Sequence, residues 1–169
     1  KWVLSWQGGD DYLKHYFFDP TGMKNTGVHN SKQTRNNEAT GYSYTDGRPE
    51  KAINWDMSRA GGAGNLYSTT QDLYRWNEAV YNGKLLSPDT LKLAFTPVRV
   101  NDGSQGNALG GQYGYGWMLT KKRGLKEIGH SGGLPGWSAY LTRYPEQNLT
   151  ITILANALPP APDLVPSTL

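Results

Sequence analysis

Cysteine is absent from the 169 residues, so neither a disulfide nor a thiolate metal site can form. Histidine is scarce. His15, His29 and His130 stand far apart without ligand spacing, which argues against zinc. Long apolar runs are lacking too: nothing approaches the roughly 18 residues of a membrane span, and no membrane span is expected. Nor does one sign of charge dominate. Lys and Arg number 17 against 14 Asp and Glu, a net charge of +3, and the basic residues read as evenly mixed rather than clustered. Nucleic acid is therefore not an expected partner. What the chain has in plenty is glycine (21), tyrosine (11) and tryptophan (6), a composition of ordered, strand-bearing proteins. The length suits one domain with a real core. Residue 1 is Lys, no signal-peptide pattern follows, and 158–169 holds four prolines, so both ends read as cuts. The expected division is a domain over 1–157 and a Pro-rich tail or linker over 158–169.

Gly8-Gly9 is a break and Asp10 a candidate cap, after which Tyr12, Leu13, Tyr16 and Phe17 share one helical face until Asp19-Pro20 stops the helix. From Thr21 to Gly64 periodicity fades, and a long irregular excursion is expected. Capping signals at Ser68 to Asp72 then open a helix over 70–81, with Ser68 as its cap. Leu73, Trp76 and Val80 form its buried stripe and Asn82-Gly83 closes it. Ser87-Pro88 starts a shorter helix with Leu91, Ala94 and Phe95 inward, ended by Thr96-Pro97. Beyond about residue 110 the period falls to two. Tyr113, Tyr115 and Trp117 alternate with glycines and read as sheet-packing aromatics. Lys126–Gly133, Trp137–Tyr144 and Leu149–Ala155 are expected as consecutive antiparallel strands, the last two joined at Pro145 to Asn148. Helices followed by an antiparallel sheet give an α+β fold. Asn148-Leu149-Thr150 fits a glycosylation sequon but equally an ordinary turn.

Gly129-His130-Ser131-Gly132-Gly133 matches the G-x-S-x-G elbow of α/β-hydrolases. That reading fails on three counts. A strand, not a helix, follows; no histidine lies beyond position 130; and the apolar parallel strands of that fold are missing. A wider pattern accounts for more of the chain. Asp19-Pro20-Thr21-Gly22-Met23, Ala60-Gly61-Gly62, Tyr67 to Leu73, Asn82 to Ser87, Tyr113 to Trp117, Gly129 to Gly133 and Leu154-Ala155-Asn156 succeed one another in one order. This succession resembles the serine β-lactamase-like family: class C β-lactamases, D-alanyl-D-alanine carboxypeptidases and related esterases.

The resemblance implies a β-lactamase/transpeptidase-like α+β fold, an antiparallel sheet with flanking helices, of which this chain is the C-terminal part. It implies serine acyl hydrolysis of a β-lactam, a D-amino-acid peptide or an ester. In the family an S-x-x-K motif supplies the nucleophile and base, and Tyr-x-Asn a second proton carrier. Neither motif occurs in this sequence, so the partner they define is an N-terminal part of the same domain, and the isolated chain is expected to be inactive. His130-Ser131-Gly132 matches the family's third motif, with Ser in place of Thr. The roles implied are substrate orientation for His130 and Ser131, an oxyanion N–H for Gly133, an unobstructed edge for substrate at Gly132 and Gly133, and a cleft-lining position for Trp137. A lone structural histidine is the alternative for His130. No metal or cofactor is implied, and an extracytoplasmic location is. The rival reading is a non-catalytic fragment or binding module of the same fold.

Overall fold

The computed structural model of the chain describes residues 9–29, 35–53, 56–57, 60–108 and 111–157. The expected tail over 158–169 and the Gly8 break lie outside them. Helix α1 (Gly9–Leu13) passes into a π-helical turn at Lys14–Phe18 and a short α2 (Asp19–Thr21). Three expectations fail here. Asp10 lies inside the first turn rather than capping it. Asp19-Pro20 does not stop the helix; Gly22 does, at φ 72, where a residue without Cβ accepts the left-handed conformation. The wide π-turn also breaks the single apolar face. Tyr12 and Tyr16 are exposed and their tilted rings meet at 4.7 Å, while Phe17 turns onto Trp76 at 5.9 Å.

The segment expected to be irregular carries three strands. β1 (Gly27–Val28) pairs with β4 (Leu66–Tyr67), and β2 (Tyr42–Thr45) with β3 (Arg48–Lys51), both antiparallel. Asp46 and Gly47 join β2 to β3 with φ 49 and 75, the double positive φ of a two-residue hairpin turn.

Helix α3 (Thr70–Tyr81) matches its predicted span, but Thr69 is the cap: its hydroxyl accepts from the Asp72 N–H at 3.2 Å. Ser68 instead meets Thr26, Oγ to Oγ1, at 2.8 Å. Of the expected stripe only Val80 is buried; Leu73 and Trp76 are half-buried. The helix docks through polar groups, and its other buried positions are Asp72, Asn77 and Ala79. Asp72 accepts from the backbone N–H of Asn25 (2.7 Å), the Thr26 hydroxyl (3.0 Å) and Arg75 (2.6 Å). Helix α4 (Pro88–Ala94) begins as expected, with Ser87 as cap. Phe95, just past it, bridges Tyr81 and Trp117 at 5.4 and 5.5 Å, although only Ala94 of its inward set is fully buried.

Six strands complete the fold: β5 (Asn107–Ala108), β6 (Gly111–Tyr113), β7 (Met118–Lys122), β8 (Leu125–Leu134), β9 (Trp137–Tyr144) and β10 (Leu149–Ala155). They form one antiparallel sheet in the order β10-β9-β8-β7-β6-β5. The three expected strands are therefore consecutive and antiparallel. The Tyr113 to Trp117 alternation is not continued as strand, because β6 ends at Tyr113, Gly116 turns at φ 78 and Tyr115 is exposed. Even mixing of charge also fails at one place. Lys121, Lys122, Arg123 and Lys126 crowd the β7–β8 turn, with Lys121 directly opposite Lys126.

Arg143 of β9 joins helix to sheet. Its buried guanidinium donates to Asn77 Oδ1 (3.1 Å), Thr150 Oγ1 (3.0 Å), Glu78 Oε1 and Asn148 Oδ1, and lies 4.6 Å over the Tyr81 ring. Burial pushes the Tyr81 phenol up to about 12, although the nearby Arg143 charge opposes the shift. Asn148 is the left-handed turn residue before β10, at φ 50, and its side chain serves this network. Replacing Arg143 by Ala is expected to cost about 3 kcal/mol, because several charge-assisted bonds go at once. A fall in the urea midpoint with an unchanged slope checks this.

Candidate functional site

β8 is twice as long as β7, at ten residues against five. β7 pairs only with Leu125 to Gly129, while His130 to Leu134 pair on the other side with Trp137 to Leu141. Among the described residues no strand covers the remaining edge of His130 to Leu134. Unpaired backbone donors and acceptors along half a strand are a template for an extended chain. All of Gly129 to Gly133 lies within this one strand, with no helix after it, so the elbow geometry is absent.

Each residue along this edge has its own surroundings. Glycine at 129 is demanded by packing, since a Cβ would stand 2.5 Å from the Leu141 carbonyl. At Gly132 a Cβ would meet nothing within 4 Å, so the fold itself does not require glycine there. Gly133 is exposed and Ser131 half-buried. By strand alternation His130, Gly132 and Trp137 share one sheet face, and Ser131 and Gly133 the other. The Trp137 indole lies against the arm before β2: its Nε1–H donates to the Ala39 carbonyl at 3.4 Å, and its ring packs on Gly41. Asn156 holds the same arm, donating from Nδ2 to the Thr40 carbonyl at 2.9 Å and accepting from the Tyr42 N–H at 2.9 Å.

His130 is exposed, and its ring curls onto its own strand. Nδ1 lies 2.5 Å from the Ser131 carbonyl oxygen, and Nε2 lies 2.9 Å from the Tyr113 hydroxyl. The two rings meet edge-on, with centroids 5.8 Å apart. Tyr113, assigned to sheet packing on sequence grounds, thus belongs with His130. Nothing in the sequence marked this contact: the ladder pairs Tyr113 with Met118 and Met118 with Gly129, the neighbour of the histidine and not the histidine itself.

Glu127 underlies the same stretch and carries no motif that marks it in the sequence. It is buried, and accepts from Tyr140 (2.7 Å), Tyr144 (2.9 Å) and Thr120 (2.7 Å). Tyr140 is the direct cross-strand partner of Ser131. Burial pushes the Glu127 carboxyl up, but the hydroxyls of Tyr140, Thr120 and Tyr144 and the charge of Lys122 outweigh it, and the net shift is downward. Burial and the same carboxylate raise both phenols. Three strands are cross-tied beneath the open edge.

The Beta-lactamase family model matches residues 5–167, nearly the whole chain. The chain belongs to the beta-lactamase family. Among its curated relatives, Penicillin-binding protein 4* of Bacillus subtilis (strain 168) is 32% identical over an alignment of 161 positions, taking in 86% of this chain and 34% of the relative. The chain thus spans about a third of the length of that protein. Solved structures with the same fold include D-amino acid amidase from Ochrobactrum anthropi SV3, complexed with L-phenylalanine amide. It has TM-score 0.72 and 26% identity, covering 88% of this chain and 44% of that one. A penicillin binding protein from Bacillus halodurans has TM-score 0.72 at 21% identity, covering 89% and 45%. These matches establish the β-lactamase/transpeptidase fold and its serine β-lactamase-like family.

Glu127 generates a pH prediction. Its folded carboxyl titrates below the unfolded one, so the stability it contributes is present above the unfolded pKa and lost as pH falls through the folded value. Acid titration followed by circular dichroism is expected to show a loss of stability below the usual carboxylate range. Glu127→Gln is expected to flatten that slope; an unaltered slope in the variant contradicts the assignment.

Proposed function

We propose that this chain forms one wall of the active site of a serine acyl hydrolase acting on a β-lactam, a D-amino-acid peptide or an ester. The nucleophile and base come from an S-x-x-K segment outside these residues, with a Tyr-x-Asn motif beside it. The observation that carries the reading is the open edge of β8 from His130 to Leu134, with a glycine at 132 that packing does not need. An acyl substrate lies along that edge as an added strand. The Gly133 N–H serves as an oxyanion donor, the kind of group whose loss costs roughly 3 kcal/mol of transition-state stabilisation. His130 and Ser131 orient the group next to the scissile carbonyl, and Trp137 braces the arm at the far end of the hairpin. The names of the relatives, penicillin-binding proteins and a D-amino acid amidase, support this substrate range and an extracytoplasmic location. The chemistry runs on side chains and backbone donors.

The isolated chain is expected to form no covalent adduct with a fluorescent penicillin or a fluorophosphonate, whereas the polypeptide encoded by the whole gene is expected to form one. Mass spectrometry of each after incubation decides the point, and an adduct on Ser131 would sink the proposal. In the labelled polypeptide His130→Ala is expected to slow acylation by roughly 10²-fold. Gly132→Ala is expected to slow it as well while leaving the thermal midpoint unchanged, because the added methyl meets only the incoming substrate. If Gly132→Ala acylates normally, the substrate does not use this edge.

A further inference from the structure

The hydrogen bonds of His130 determine its proton positions. A carbonyl oxygen only accepts, so the 2.5 Å contact with the Ser131 carbonyl requires the proton on Nδ1. In the neutral ring Nε2 is then the acceptor, and the Tyr113 hydroxyl at 2.9 Å is the donor. The chain of donation runs from Tyr113 O–H to Nε2, and from Nδ1–H to Ser131. Both donors of the pair are consumed. The polar capacity left facing solvent is the lone pair on the Tyr113 oxygen.

The backbone around Tyr113 is clamped, so the hydroxyl is delivered from a fixed place. The Tyr113 N–H donates to the Gly106 carbonyl (2.8 Å) and its own carbonyl accepts from Val98 (2.9 Å). Next to it, the Gly114 N–H donates to Trp117 (2.8 Å) and the Tyr115 N–H to Ala94 (3.0 Å). His130, by contrast, stands at the start of the uncovered half-edge and owes its ring orientation to these two bonds.

We propose that Tyr113 is the positioning residue for His130, and that the pair presents an acceptor, with no free donor, to the group lying on the open edge of β8. The inference rests on the acyl hydrolase reading and narrows its substrate class. The group that reaches this pair is a hydrogen-bond donor, as in a free amine or a primary amide. A carboxylate meets no donor on the pair itself unless one of the two bonds breaks.

The test uses the polypeptide encoded by the whole gene, labelled with 15N at histidine. At neutral pH the long-range spectrum is expected to show His130 protonated at Nδ1, and Tyr113→Phe to bring in a substantial Nε2–H population. Binding is then measured with two probes, D-alanine amide and its N-succinyl derivative, which replaces the amine by a carboxylate. The wild type is expected to prefer the free amine by about tenfold, and Tyr113→Phe to lose most of that preference, the scale of one hydrogen bond. Tyr115→Phe, at an exposed position away from the pair, is expected to change neither result. An Nε2–H tautomer in the wild type, a tautomer indifferent to Tyr113→Phe, or a wild type that binds the succinyl probe equally well or neither probe overturns the inference. The outcome for the broader reading is separate: a polypeptide that shows the tautomer and the amine preference but takes no label from the serine probes refutes acyl hydrolysis and leaves the pair as described.

Discussion

A buried arginine needs several acceptors at once, and meeting that need ties this fold together. Arg143 sits on β9, the strand between β8 and β10, and its acceptors come from α3, β10 and the turn that precedes β10. Glu78 is the charged acceptor among them, and removing it would leave a buried cation without its counter-ion, at a cost above that of an exposed ion pair. The helix is consequently held to the hairpin by direction-dependent bonds rather than by a slippery apolar stripe. Asp72, at the opposite end of the same helix, pins the loop after α2 by the same means.

The open edge depends on that fixed sheet. A strand end with no neighbour on one side is ordinarily soft and prone to pairing with other chains. Here it is stiffened from behind. β9 pairs along its length, Glu127 gathers hydroxyls from two neighbouring strands, and Gly129 lets β8 and β9 approach closely. The edge can therefore stay straight and unpaired, which is what a preorganised subsite for an extended ligand requires.

Much of this was legible in the sequence because it is local. The caps and periodicity of α3 and α4, the two-residue period of β8 to β10 and the Pro145 turn are all statements about neighbours along the chain. The β2–β3 hairpin was missed: its strands Tyr42–Thr45 and Arg48–Lys51 are four residues each and mostly exposed, too short and too little buried to lift the segment out of its irregular surroundings. The π-turn at Lys14–Phe18 carried no mark, since its residues also suit an ordinary helix.

Composition and motif order by themselves determined the α+β class, the family resemblance and the strand that bears His130, Ser131, Gly132 and Gly133. Those properties follow from chain-local physics and from residue types that the chemistry restricts. Only the tertiary structure decided that the pairing of β7 with β8 stops at Gly129 and bares the rest of β8, that Trp137 props the 39–41 arm, and that Tyr113 meets His130. Each of these depends on the register between strands. Register is set by the summed packing of both sheet faces and the closure of each turn, and a shift of one residue would reverse which side chains share a face.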